Sequence, residues 1–119
     1  MKNFDLEKIA CELNNFAKVR DWEQFHTPKN LSVALSVEAS ELLELFQWLS
    51  DSEIKEVTNN PEKMKKINEE VADVAIYLIR FCSILNIDLE QAILAKIEKN
   101  GKKYPLDKAK GSNKKYTEF

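Results

Sequence analysis

Apolar residues recur along most of this chain at intervals of three and four, the spacing that one face of an α-helix requires. The pattern predicts a first helix from about Asp5 to Arg20 and a second from roughly Leu31 to Leu49. Thr27-Pro28 ahead of the second reads as a cap followed by a first-turn proline. Asn60-Pro61 restarts a third helix that runs to about Leu85 and ends at Asn86. Asp88-Leu89-Glu90-Gln91 has the form of a capping box opening a fourth helix, which is expected to stop at Asn100-Gly101. Between these lie an aromatic and polar loop, Asp21 to Asn30, and a polar connection, Ser50 to Asn59, with room for a short helical turn. With only two glycines and three prolines, strand-turn signals are few. The expected architecture is all-α, a bundle of four main helices over residues 1–101 followed by a basic tail over 102–119.

The polar positions are more informative than the apolar ones. At about 100° per residue, Leu31, Leu35, Leu42, Leu45 and Leu49 share one narrow arc of the second helix. Glu38 lies inside that arc, and Glu41 lies at its edge beside Val37 and Trp48. Ser32, Ser36, Ser40, Glu44 and Gln47 take the opposite, wet face. The third helix repeats the arrangement: Ile67, Val74, Tyr77, Phe81 and Ile84 form its apolar stripe, with Glu70 in the middle and Asp73 at the margin. Each helix thus projects an i, i+3 carboxylate pair from its core side, and a short connection favours packing that brings the pairs together. Burying several uncompensated carboxylates is costly, and a hard divalent cation relieves the conflict by taking their oxygens as ligands. Magnesium suits such a site because it keeps several waters and accepts phosphate oxygens as further ligands. Among 20 acids in a helical chain, pairs at this spacing also arise by chance; Glu53/Glu56 and Glu41/Glu44 are examples. What singles out the other two is their place on the apolar stripes.

Composition narrows the classes. The chain's 119 residues fit one domain, and no apolar run is long enough to span a bilayer. The segment Met1 to Asp5 lacks the apolar core of a signal peptide, so a cytoplasmic protein is expected. Cys11 and Cys82 stand alone without metal-ligand spacing and read as buried free thiols. A net charge of −2 argues against nucleic-acid binding by the whole molecule, although lysines crowd the last twenty residues. The lone histidine, His26, makes histidine-built metal sites and Ser-His-Asp catalysis improbable, and reads first as a loop hydrogen-bonding residue. No Glu-x-x-His pair exists, which disfavours a ferritin-like di-metal oxidase. The principal rival reading is a non-catalytic helical interaction protein. The apolar helix faces predict oligomerisation under either view.

Glu38-x-x-Glu41 followed by Glu70-x-x-Asp73 resembles the metal-binding signature of the MazG-like all-α nucleotide pyrophosphohydrolases. The segment Arg20-Asp21-Trp22-Glu23-Gln24-Phe25-His26, with Pro28 and Asn30-Leu31, is similar to the dCTP pyrophosphatase branch of that family. So are Glu44-Leu45-Phe46-Gln47-Trp48, Asp73-Val74-Ala75-Ile76-Tyr77-Leu78, Lys103-Tyr104-Pro105, Lys108-Ala109-Lys110-Gly111-Ser112 and Lys115-Tyr116-Thr117-Glu118. Leu13 departs from the pattern, since vertebrate members carry a histidine near that position. The resemblance implies magnesium bound by Glu38, Glu41, Glu70 and Asp73. It implies Trp22 and Trp48 flanking a base, and Tyr77, Lys96, Asn100 and Tyr104 contacting sugar and phosphates. His26, inside the matched loop segment, joins these substrate contacts. It further implies a homodimer or dimer of dimers, with the tail packed on the bundle or on a partner subunit. The expected activity is cleavage of a (deoxy)nucleoside triphosphate, dCTP or a related pyrimidine nucleotide, to monophosphate and pyrophosphate, with a role in cleaning the nucleotide pool.

Overall fold

Helix start signals are satisfied at five of the described helices by an oxygen-bearing side chain just outside the helix, which accepts from a backbone N–H. A computed structural model describes residues 3–119; Met1 and Lys2, part of the segment that lacks a signal peptide's apolar core, lie outside the described residues. The helices are α1 (Leu6–Val19), α2 (Pro28–Glu44), α3 (Asp51–Lys55), α4 (Pro61–Leu85), α5 (Leu89–Lys103) and α6 (Leu106–Ala109), with 3-10 turns at Glu23–Phe25, Val57–Asn59 and Tyr116–Glu118. No strand occurs among the described residues, and the fold is all-α. None of the helices is long and apolar enough to cross a membrane. The chain divides into two compact units, the first ending at Asn86 and the second spanning Ile87–Phe119.

Four helices open on orphan N–H groups capped by an oxygen side chain three residues back. Asp5 accepts from Lys8 N–H at 3.0 Å, and Thr27 from Asn30 N–H at 3.1 Å. Asn60 accepts from Lys63 N–H at 3.1 Å, and Asp88 from Gln91 N–H at 3.1 Å. The full reciprocal capping box appears instead at α3, between Ser50 and Glu53. Glu53 therefore caps a helix, and Glu56 accepts from the Asn59 amide at 2.8 Å, so this chance pair of acids has local employment.

Two helix ends differ from expectation. The second helix was expected to reach Leu49 but stops at Glu44. Phe46 N–H donates to Leu43 O and Leu49 N–H to Phe46 O, each at 3.0 Å, so residues 45–48 form tighter turns. The reason lies downstream: Ser50 must be extended to cap α3, and the chain leaves the helix before reaching it. The fourth helix was expected to stop at Gly101 but continues to Lys103, where Tyr104 N–H closes it on Asn100 O at 2.8 Å. Gly101 keeps an ordinary backbone angle; the positive-φ glycine is Gly111, in the tail. The expected boundary between residues 101 and 102 thus falls inside α5.

In the first unit, α2 packs along α4, and α1 also packs against α4. Ala17, Leu31, Ile79 and Cys82 are the buried apolar side chains there. Of the two cysteines expected to be buried, only Cys82 is; Cys11 falls on a solvent-facing side of α1 and is exposed. The serines of α2 and Glu44 face solvent, as the wheel predicts. Much apolar surface stays wet: Val33, Val37, Leu43, Val71 and Leu78 on α2 and α4, and Ile93, Leu94 and Ile97 on α5, are all exposed.

Candidate functional site

An i, i+3 spacing puts both acids of each pair on one helix face, so the packing of α2 on α4 decides whether the pairs meet. They do. One carboxylate oxygen from each of Glu38, Glu41 and Glu70 lies within 4.8 Å of the others, and all three residues are partly buried. Asp73 stands beside this trio rather than in it, yet its charge acts on both Glu38 and Glu70. Glu38 Oε2 and Glu70 Oε2 are buried without a hydrogen-bond partner.

Ionised carboxylates are acceptors only and cannot bond to one another, which explains the orphaned oxygens. Such crowding favours protonation. Glu38 is raised from 4.5 to about 7, chiefly because closeness to Glu41 favours a protonated form able to hydrogen-bond to it, then through desolvation, the same effect of Glu70, and the charges of Glu41 and Asp73. For Glu70, the bond from Glu38 works downward, but desolvation, the charges of Glu41 and Asp73, and contact with Glu41 leave it raised. A cation supplied to these oxygens would replace such a proton and satisfy the orphaned acceptors. The donor set, all carboxylate oxygen, fits a hard divalent ion.

The remaining predicted residues fall into separate groups. Tyr77, one turn beyond Asp73 on α4, is partly buried. Trp22 is held by a left-handed turn at the end of α1. Asp21 has φ of 54°, its N–H donates to Lys18 O, and Trp22 N–H donates to Ala17 O, a Schellman closure with aspartate in the usual glycine position. The Trp22 ring meets Phe16 edge-on at 5.8 Å and His26 at 6.3 Å. Trp48 lies on the turns after α2 and is 86% exposed, so it is not a core residue in a single chain. In the second unit, Lys96 and Asn100 lie four apart on α5, both exposed. Tyr104 caps that helix and packs edge-on against Tyr116 and Phe119 at 5.9 and 5.8 Å.

Sequence reasoning missed Arg80. It is only 4% exposed, on the α4 face that also carries Asp73 seven residues earlier. Its Nε donates to His26 Nδ1 at 3.2 Å, and an Nη donates to the Asn14 side-chain oxygen. His26 is held below its ordinary value by burial and then by the Arg80 charge, which suits a neutral imidazole accepting this bond. The signal was available: an arginine two helical turns from an acid on a core-facing stripe needs partners.

The family model described as MazG-like matches residues 33–119. Mouse dCTP pyrophosphatase 1 is 42% identical over 115 residues, 97% of this chain and 66% of that protein. Human dCTP pyrophosphatase 1 is likewise 42% identical over the same share of both chains. The chain therefore spans about 66% of the length of these relatives. A crystal structure of a pyrophosphatase from Archaeoglobus fulgidus superimposes with a TM-score of 0.78 at 40% identity, covering 88% of this chain and 96% of that one. The family match over most of the chain and the similarity in sequence and helical fold agree, and this chain belongs to the MazG-like family.

Proposed function

We propose that the protein is a magnesium-dependent nucleoside triphosphate pyrophosphohydrolase, acting on dCTP or a related pyrimidine deoxynucleotide in the cytoplasm. The observation that carries this reading is the carboxylate trio Glu38, Glu41 and Glu70, with two buried oxygens lacking any partner. Similarity to proteins named dCTP pyrophosphatase 1 supports the reaction and the base. The exposed apolar residues on α2, α4 and α5 support self-association as a homodimer or dimer of dimers.

Glu38, Glu41 and Glu70 would hold magnesium, with Asp73 adding negative charge at the margin. Bound there, the ion would neutralise charge on the phosphate oxygens and ease deprotonation of a water. In the proposed step, a water oxygen attacks the α-phosphorus in line as the bond from that phosphorus to the β-phosphate oxygen breaks. Pyrophosphate leaves, and the water's proton passes to a carboxylate; Glu41 at the stripe's edge is the candidate, acting as the base instead of holding the ion. Trp22 and Trp48 offer aromatic faces for the base, and stacking of this kind tolerates any base. Lys96, Asn100, Tyr77 and Tyr104 remain the candidates for sugar and phosphate contacts.

The test is a panel of nucleoside triphosphates incubated with magnesium, with pyrophosphate scored separately from orthophosphate. Reaction in labelled water is expected to put the label in the monophosphate. Label in pyrophosphate rejects attack at the α-phosphorus, and no pyrophosphate from any substrate rejects the activity.

A further inference from the structure

A cavity of about 200 Å³ opens between α1, the loop after it and α4, lined by Asn14, Glu23, Arg80 and Ile84. Three of its four lining residues carry polar groups, and the most buried of them is Arg80. Among the described residues no carboxylate stands within ion-pair distance of Arg80; Glu23 acts on it only through longer-range charge. Its two protein bonds use Nε and one terminal nitrogen, which leaves the other terminal nitrogen without a protein acceptor among the described residues. Asn14 gives its carbonyl oxygen to Arg80, so its amide nitrogen is left as a donor. Glu23, exposed at the rim, is an acceptor. A buried cation with two of its five N–H donors bonded to protein, in a cavity that solvent can enter, is built to receive something with acceptor atoms.

Three features point to what that is. The cavity is smaller than a site for a whole drug-sized ligand, so it takes one part of a molecule. Arg80 lies on the same face of α4 as Asp73, seven residues or about 10 Å further along the axis, which suits a nucleotide whose phosphates lie at the acids. Trp22, a stacking face, adjoins Glu23 in the chain and contacts His26, which Arg80 holds.

We infer that Asn14, Glu23 and Arg80 form a pocket that reads the hydrogen-bonding edge of the base, two donors and one acceptor matched to the two acceptors and one amino donor of cytosine. This inference rests on the nucleotide reading above. Uracil and thymine present a carbonyl where cytosine presents its amino group, and would set that oxygen against the Glu23 carboxylate. Base choice thus belongs to this pocket, while the tryptophans supply affinity without choosing.

The experiment measures kcat and KM for dCTP, dUTP, dTTP, dATP and dGTP, scored as pyrophosphate, for the wild type, Arg80→Met and Glu23→Gln. The wild type is expected to prefer dCTP. Glu23→Gln, which offers an amide donor to a carbonyl, is expected to narrow the dCTP-to-dUTP ratio of kcat/KM at least about tenfold. Arg80→Met is expected to lose its activity on dCTP mainly through a raised KM. Unchanged base ratios in Glu23→Gln overturn the inference even if Arg80→Met fails to fold, because Glu23 is exposed and its variant keeps the core intact. A wild type that releases pyrophosphate equally from all five also overturns it and leaves the proposed activity standing. A wild type that releases none overturns both.

Discussion

Glu38 on α2 and Glu70 on α4 each turn a carboxylate oxygen into the seam between their helices, and neither oxygen has a hydrogen-bond partner. The seam is therefore a place where the fold is locally at odds with itself and where a cation would act as part of the packing. Thermal unfolding in millimolar magnesium should rise by several degrees over unfolding in chelator, since a ligand at about 100 times its Kd adds roughly 2.7 kcal/mol. Glu70→Gln should abolish most of that increment and lower kcat/KM by about a hundredfold or more. An identical melting temperature with and without the ion refutes a metal role for the trio.

The raised Glu38 carboxyl gives a pH dependence with a definite sign. Folded Glu38 keeps its proton up to about pH 7, against an ordinary value of 4.5. Between those values the folded state binds more protons than the unfolded one. Its contribution is therefore complete below the lower value and lost as pH rises through the upper. In metal-free protein, Glu38→Gln, which mimics the neutral acid, should gain stability relative to wild type between pH 4.5 and 7. Denaturant titrations across that range check it; a constant difference between the two proteins contradicts the assignment.

Trp48 separates folding from binding unusually cleanly. At 86% exposure it contributes little to the packing of a single chain, so Trp48→Ala should change chain stability by less than about 0.5 kcal/mol. If its ring stacks on a base, the same variant should raise KM by about five- to a hundredfold, the equivalent of roughly 1–3 kcal/mol. Calorimetry beside steady-state kinetics distinguishes the two, and an unaltered KM removes Trp48 from the site.

The wet apolar faces predict assembly. Sedimentation should give a species of at least twice the 13.8 kDa chain mass, and Leu94→Glu combined with Ile97→Glu should shift it towards the monomer. A monomeric wild type at micromolar concentration is the contrary result.

Much of this was legible in the chain because the signals are local. Thr27-Pro28, Asn60-Pro61 and Asp88 announce helix starts through bonds to N–H groups three residues on. Glu38 and Glu70 could be singled out because periodicity alone puts them on apolar stripes. What escaped depends on distance along the chain. Arg80 meets Asn14 across 66 positions and His26 across 54, and no periodicity encodes such a meeting. The early end of α2 escaped for a subtler reason: its apolar spacing continues to Leu49, but the cap demanded by Ser50 overrides it. That Asp73 stands beside the trio rather than within it depends on side-chain directions, which spacing does not fix.

Helix α4 runs unbroken for 25 residues, and it carries Glu70, Asp73, Tyr77 and Arg80 on a single rigid rod. Its ladder of backbone hydrogen bonds works as a ruler, holding the interval between the acids and Arg80 with no loop in between. Substitution at residue 80 could thus retune which molecule is admitted while the acid end keeps its alignment. A lineage could explore new substrates one side chain at a time without rebuilding its chemistry.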